Sequence, residues 1–452
     1  MTEPSQKSVA VIGTGISGLS AAWHLSQNHQ VTVFEQNPYV GGHSNTADVE
    51  IDGQSIPVDT GFIVYNPVNY PNLVALFHHL GVPTMPSDMS FSASLNDGSL
   101  EYSGSNMQGL LAQPKNLVRP RFLRMMRDIL RFYRQAPQLV WDRSLERVAL
   151  GSFLRTHRYS NAFIYDHLMP MGAAIWSSSV SQMLAFPTLA FLRFFDNHGL
   201  VQLSNRPEWR TVCGGSREYV RRLTANFSDR IRTGTPVIRV ERDGNVPVVI
   251  TADGHREQFD DVVLACHADQ ALQMLANPTA EEQATLSNIR YQSNTAVLHT
   301  DTALLPKRRR AWASWNYLGT GEGRADQLLC VTYLMNRLQS LPTETPVMVT
   351  LNPCKAIKPN RIIQTYDYEH PLFDAKAIRS QRKLWDLQGH QNTWFCGAYF
   401  GSGFHEDGIQ AGLAVAEKLG GAKRPWTVAE PSARVGLCPD GQPLGELGAV
   451  PA

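Results

Sequence analysis

The chain has 452 residues, a formal net charge of +1, 43% hydrophobic and 18% charged residues. That length allows two or three domains with ample core. Nothing in the near-neutral overall balance points to a polyanion partner, so no nucleic-acid partner is expected. Six cysteines (Cys213, Cys266, Cys330, Cys354, Cys396 and Cys438) are scattered without CxxC spacing. No metal site is therefore expected, and a reduced, cytoplasmic compartment fits. The first apolar run, Val9 to Ile12, is too short for a secretory signal. No run reaches the roughly 18 apolar residues of a spanning helix.

In chain order, SVAVI (Ser8 to Ile12) predicts a buried strand. After it come Gly13-Thr14-Gly15-Ile16-Ser17-Gly18, a helix from Leu19 to Ser26, and a second strand from Gln30 to Glu35. This strand–glycine turn–helix–strand unit predicts a dinucleotide site. Gly13 permits the tight turn, Gly15 lets a pyrophosphate approach the backbone, and Gly18 lets helix and strand pack closely. Ile16 and Ser17, in the glycine turn, are candidate cofactor-binding residues, and the free N–H groups at the start of the helix that follows favour phosphate. Glu35 can accept from ribose hydroxyls and disfavours a 2′-phosphate, with Gln36 beside it.

Glu35 to Thr46 reads EQNPYVGGHSNT. This stretch resembles the one after the second strand in the FAD-dependent amine oxidase superfamily, which includes monoamine and polyamine oxidases, protoporphyrinogen oxidase and phytoene desaturases. Gly41, Gly42 and Thr46 match its Gly-Gly-Arg…Thr pattern, with His43 in place of arginine. Asp59, Thr60 and Gly61 resemble the family's Asp-x-Gly segment near the flavin. Cys213-Gly214-Gly215-Ser216 resembles its re-entry segment, and Val237 the strand whose main chain contacts the adenine. Trp394 to Gly397 and Gly401 to Gly412 resemble its closing strand, loop and helix. The resemblance implies non-covalent FAD, with Gly397, Asp407 and Gly408 near ribityl or phosphate and Ile409 at the pyrimidine edge. The runs MGAAIWS (Met171 to Ser177) and GAYFGSGFHEDG (Gly397 to Gly408) resemble a bacterial subgroup associated with fatty-acid modification.

The resemblance implies an α/β chain: a Rossmann-type, glutathione-reductase-like FAD-binding domain (1–75, 208–270, 385–425) interleaved with an α+β substrate domain (76–207, 271–384). A Gly- and Pro-rich tail from Pro425 (426–452) packs as an extended arm or stays loose. His405 is the acid–base candidate and Tyr399 a second catalytic candidate. Trp176 and Phe400 are candidate substrate-pocket walls, and Glu406 either serves the site or caps a helix. Many family oxidases carry a lysine opposite the flavin on a strand that corresponds here to NTAVLHT (Asn294 to Thr300), where His299 is the only titratable residue. That weakens an amine-oxidase reading. The expected activity is an oxidase or desaturase acting on an apolar or acyl-lipid substrate, the alternatives being a flavin amine oxidase and an FAD-stabilised accessory protein.

Between Lys115 and Arg134, Phe122, Met125, Met126, Ile129, Leu130 and Tyr133 recur at helical spacing against Arg121, Arg124, Arg127, Arg131 and Arg134. The pattern predicts a basic amphipathic helix that packs its apolar stripe inward, or lies on an anionic membrane at the inner face.

Overall fold

In the computed structural model, residues 6–104, 106–202, 206–244, 246–319, 330–438 and 441–443 are described, so residues 439, 440 and 444–452 of the expected tail lie outside the described residues. Five parallel strands form the first sheet, in the order Thr393–Phe395, Asp261–Leu264, Ser8–Ile12, Gln30–Phe34, Ile231–Arg232. Its central strands are β-branched or aromatic runs buried on both faces, as a parallel sheet between helices requires. Two helices, Ile16–Leu25 and His405–Leu419, cross in close contact on it. Their approach depends on Gly412: a Cβ there would overlap the Ser17 carbonyl and the Ser20 hydroxyl. Ser17 Oγ also donates to the Gly408 carbonyl at 2.7 Å.

The second sheet has seven strands in the order Ile362–Leu372, Arg290–His299, Met348–Leu351, Cys330–Leu334, Trp315–Gly319, Phe91–Leu95, Leu100–Ser103. All neighbours are antiparallel except Trp315–Gly319 with Phe91–Leu95. Helices between residues 120 and 197 cover it around a core rich in phenylalanine. The hairpin Thr46–Ile51/Gln54–Asp59 adds Val49, Ile51, Ile56 and Val58 to this second core, while helix Ala268–Met274 packs into the first. Phe404 touches both cores.

The arginine-rich helix runs from Pro120 to Leu139, after a 3-10 turn over Pro114–Val118. Phe122, Met125, Ile129, Phe132 and Ala136 are buried. Leu130, expected inside, is 46% exposed, and Leu123 is 49% exposed. The buried stripe is narrower than the apolar pattern, because Asp128 and Ala136 occupy inward positions.

The tail packs down through residue 437. Val435 and Leu437 enter the first core, and Trp426 Nε1 donates to Asn72 Oδ1 at 3.1 Å. Arg434 reaches Asp407 Oδ1 at 2.8 Å and the Asn69 carbonyl at 2.7 Å.

Candidate active site

The glycine turn divides into structural and open positions. Gly13 has φ +109, donates its N–H to the Phe34 carbonyl at 2.8 Å, and would place a Cβ 2.8 Å from the Ala265 carbonyl oxygen. A Cβ at Gly18 would overlap the Gly13 carbonyl. Both therefore hold the turn against the sheet. Gly15 is different: it caps the helix at φ −63 and ψ 172 with no side-chain hydrogen bond, and a Cβ there meets nothing within 4 Å. The helix N-terminus thus faces open space, as a phosphate site requires.

Around that opening, Gly41 N–H donates to Thr14 Oγ1 at 3.2 Å, and Gly42 (φ +58) lies so close that a Cβ would sit 3.0 Å from Gly15 Cα. Glu35 stands at the end of the second strand, buried, accepting from Thr14 N–H and hydroxyl on one oxygen and from Asn37 on the other. Gln36 next to it is exposed. Val237 lies half-buried at the start of an antiparallel three-stranded meander.

Asp59 does not direct its carboxylate at the opening. It accepts from Ser216 N–H at 2.8 Å, Ser216 Oγ at 2.8 Å, Thr46 Oγ1 at 2.6 Å and Gln339 Nε2 at 2.9 Å. It thereby locks the re-entry turn: a Cβ at Gly215 (φ +88) would overlap Thr46. Thr60 bonds the Asn45 carbonyl and the Tyr368 hydroxyl, and Gly61 packs beneath the His43 carbonyl. Burial, only partly offset by the Thr46 and Ser216 hydrogen bonds, pushes the Asp59 carboxyl up to about 6 from 3.8. A raised carboxyl contributes stability that is complete below pH about 4 and is lost as pH rises through 6, about 3 kcal/mol in all. In Asp59→Asn, this fall in unfolding free energy between pH 4 and 7 is expected to flatten. An unchanged slope in denaturant titrations across that range would assign it elsewhere.

From the glycine loop the site extends to the second sheet. His43 lies between Tyr368 (ring centroids 4.9 Å) and His370 (5.4 Å), its Nε2 buried without a partner. His267, just past the strand Asp261–Leu264, stacks on Tyr291 at 4.1 Å and faces Glu369 at 3.3 Å. Asn294 Nδ2 reaches His370 Nδ1 at 3.4 Å. Burial holds His43 well below the usual imidazole range and lowers His370 to about 4. Tyr368 and His370 were not anticipated from the sequence, although TYDYEH places Tyr366, Tyr368 and His370 on one face of a strand by its period of two.

His405, the anticipated acid–base group, stacks on Phe62 at 3.6 Å, and its Nε2 meets Ser44 Oγ at 2.9 Å and the Tyr219 hydroxyl at 3.1 Å. Burial lowers it to about 3, so the ring is neutral. Tyr399 is buried with no partner for its hydroxyl, and burial holds that phenol well above its usual range. Phe400 packs on Trp385 at 5.2 Å. Trp176 sits among Phe186, Phe191, Phe194 and Phe195, its Nε1 buried and unpartnered, and Phe194 stacks in turn on Phe404 at 5.0 Å. His299 is not part of this group: its ring is engaged by Thr350 Oγ1 and the Asp301 N–H.

The closing helix also departs from expectation in its side chains. Asp407, expected at the cofactor, bonds the Phe404 N–H at 2.8 Å and Arg434, so its carboxylate is committed. Glu406 accepts from the N–H groups of Asn72 and Leu73, capping the neighbouring helix Pro71–Leu80 rather than its own. Gly408 lies against Ile16, and Ile409 is fully buried. At Gly397 a Cβ would overlap the Tyr399 ring.

The open Gly15, the uncapped helix N-terminus, Glu35, and the unpartnered His43 Nε2 and Tyr399 hydroxyl together fit FAD, with the glycine loop at its phosphates. Residues 16–350 match the family model described as flavin containing amine oxidoreductase. Among solved structures of the same fold, a CLA-producing fatty acid isomerase from P. acnes superposes with TM-score 0.66 at 15% identity, covering 93% of this chain and 99% of that one. Cyclohexylamine oxidase from Brevibacterium oxydans IH-35A gives 0.64 at 15%, over 92% and 100%. Two curated relatives align over short stretches. A carotenoid phi-ring synthase from Chlorobaculum tepidum is 37% identical over 20% of this chain and 13% of its own length. A 4,4'-diapophytoene desaturase from Staphylococcus aureus is 55% identical over 8% of each.

Proposed function

This chain belongs to the flavin-containing amine oxidoreductase family and is an FAD-dependent oxidoreductase; we propose that its substrate is an apolar acyl lipid, from which a hydride is removed. The observation that carries this reading is the uncharged lining beside the glycine loop. His43, His370 and His405 are all held neutral by burial, and Glu369, next to His370 in sequence, stands instead 3.3 Å from His267. A protonated amine would lose its water there without a free counter-charge. An acyl chain loses nothing by entering, and the ring series Phe404, Phe194, Trp176 continues the apolar wall. The names of the similar proteins include both a fatty acid isomerase and an amine oxidase, and the uncharged lining supports the acyl-lipid reading.

Bound FAD supplies the two-electron acceptor. The chain supplies position: Tyr399 offers a hydroxyl that stays protonated, and His405, fixed by Ser44, Tyr219 and Phe62, orients the wall of the site as a neutral ring. Because His405 charges only below about pH 3, anaerobic flavin reduction is expected to show no histidine limb between pH 5 and 8. His405→Leu is expected to slow reduction about tenfold at every pH without changing the profile, roughly 1.4 kcal/mol of positioning. An inflection near pH 6.5 that vanishes in this variant would make His405 a titrating base.

The test of the substrate class is the visible spectrum of the FAD-loaded protein under anaerobic conditions. Unsaturated fatty acids or phospholipids are expected to bleach the flavin band, and an alkylamine panel is not. Bleaching by amines alone would overturn the reading in favour of an amine oxidase. A band that no substrate bleaches would favour an accessory role.

A further inference from the structure

Six of the ten large apolar side chains that stand exposed among the described residues fall within 35 positions of one another: Met107, Leu117, Val118, Leu123, Leu130 and Trp141. Val118 is 78% and Trp141 75% exposed. On the helix Pro120–Leu139, Leu123, Arg127, Leu130 and Arg134 follow at spacings of four, three and four, which puts them on one outward face, and Trp141 continues the line past its end. The inward face is separately filled by Phe122, Met125, Ile129 and Phe132. The outward leucines are therefore surplus to the core.

Charge is concentrated on the same surface. Residues 107–147 hold nine basic and three acidic residues in a chain whose net charge is +1. One of the three acids, Asp128, is buried, accepts from the Ser160 N–H and pairs with Arg127 at 3.3 Å, leaving most of the Arg127 side chain exposed. Among the described residues, Lys115, Arg124 and Arg134 have no carboxylate partner. Arg127, Arg131 and Arg134, with Gln135, line an open cleft of about 450 Å³. At its rim Arg131 is fixed over the Tyr159 ring at 4.1 Å and bonded to the His157 carbonyl.

A solvated helix face carries charge without exposed leucine and tryptophan, and a protein-binding groove carries apolar residues without so many unpaired cations. The two together match the boundary between phosphate headgroups and acyl chains. We infer that this face docks on an anionic phospholipid bilayer, with Leu117, Val118, Leu123, Leu130 and Trp141 entering the headgroup–acyl boundary and Arg124, Arg127 and Arg134 on lipid phosphates. No helix among the described residues is long and apolar enough to cross a membrane, so the contact is peripheral. The inference stands on this surface alone and does not require the acyl-lipid reading.

The test is flotation of the FAD-loaded full chain with phosphatidylcholine vesicles, with and without phosphatidylglycerol, in the absence of turnover. Recovery with the anionic vesicles is expected to exceed that with neutral ones at least tenfold and to fall as salt is raised. Arg124→Glu/Arg127→Glu/Arg134→Glu should reduce anionic-vesicle binding more than tenfold. Leu123→Ser/Leu130→Ser/Trp141→Ser should reduce it comparably; none of the six side chains belongs to the core, and circular dichroism checks that the Arg127→Glu change beside buried Asp128 leaves the fold intact. Tryptophan quenching by brominated acyl chains is expected in the parent protein and reduced in Trp141→Phe. Equal recovery with neutral and anionic vesicles, no binding to either, or binding that survives both triple substitutions would overturn the proposal. So would a parent dimer that the leucine variant converts to monomer, since a second copy would then cover this face. Docking that persists when acyl lipids fail to bleach the flavin would separate this result from the substrate assignment.

Discussion

Replacing Gly15 by valine is expected to yield a folded, colourless protein. The position has an ordinary φ of −63, so a β-branched residue can adopt it, and its Cβ would meet no protein atom within 4 Å. The cost to the fold is that of a poorer helix cap, about 1 kcal/mol. The space the side chain would fill is the one in front of the helix N–H groups, where the pyrophosphate of the dinucleotide must approach the backbone. Flavin affinity should fall about 100-fold or more, on the order of 3 kcal/mol. Gly18→Val is the contrasting control. Its Cβ overlaps the Gly13 carbonyl, so it should impair folding itself. Circular dichroism and the visible spectrum together separate the two cases. A Gly15→Val protein that keeps a full flavin band would mean that the phosphates lie elsewhere.

The second large effect is expected at Arg434, distant in sequence from the glycine loop. Its guanidinium is the ion partner of Asp407, a carboxylate with no exposed surface, and it also supplies a hydrogen bond to the Asn69 carbonyl. Burial pushes the Asp407 carboxyl up, and Arg434 opposes that shift. Arg434→Met keeps the apolar stem and removes the charge, leaving Asp407 buried and unpaired beside Glu406. Loss of one partner of such a pair costs about 3–5 kcal/mol. The deficit has a predictable pH dependence. With the cation gone the Asp407 carboxyl rises further, so protonation relieves the penalty, and the gap between variant and parent should narrow as pH falls from 7 towards 5. Urea titrations at both pH values measure it. An equal gap at both would show that the arginine acts through packing and its carbonyl bond, not through the charge on Asp407.

The elements around the nucleotide site were legible because their signals are local. SVAVI and QVTVF form strands where their β-branched residues place them, and the strands near residues 261–264 and 393–395 follow the same rule. The first helix begins at Ile16, not Leu19, because the last residues of the glycine turn are themselves helical. The roles of carboxylates were much less legible. Asp59, Glu406 and Asp407 stand in the expected segments, yet each has its charge answered by a residue far along the chain: Ser216, Asn72 and Arg434. No spacing rule reports such partners. The arginine helix shows the same limit, since helical spacing identified the apolar stripe but not that Leu130 would face outward while Asp128 turned in. His405 opens the helix His405–Leu419, and its proton affinity is set by burial against Phe62 and Tyr219, which only the folded chain creates.

The hydrogen bond from Ser17 to the Gly408 carbonyl joins residues 391 positions apart. During synthesis, the turn that is to cradle the phosphates emerges long before the strand Thr393–Phe395 that completes the sheet edge and the helix that closes against it. Until then the Ser17 and Ser20 face of the first helix and the outer edge of the Asp261–Leu264 strand have no cover. A nascent chain that still lacks the helix His405–Leu419 therefore offers chaperones an open seam. Flavin capture becomes an event that follows translation, not one that guides it.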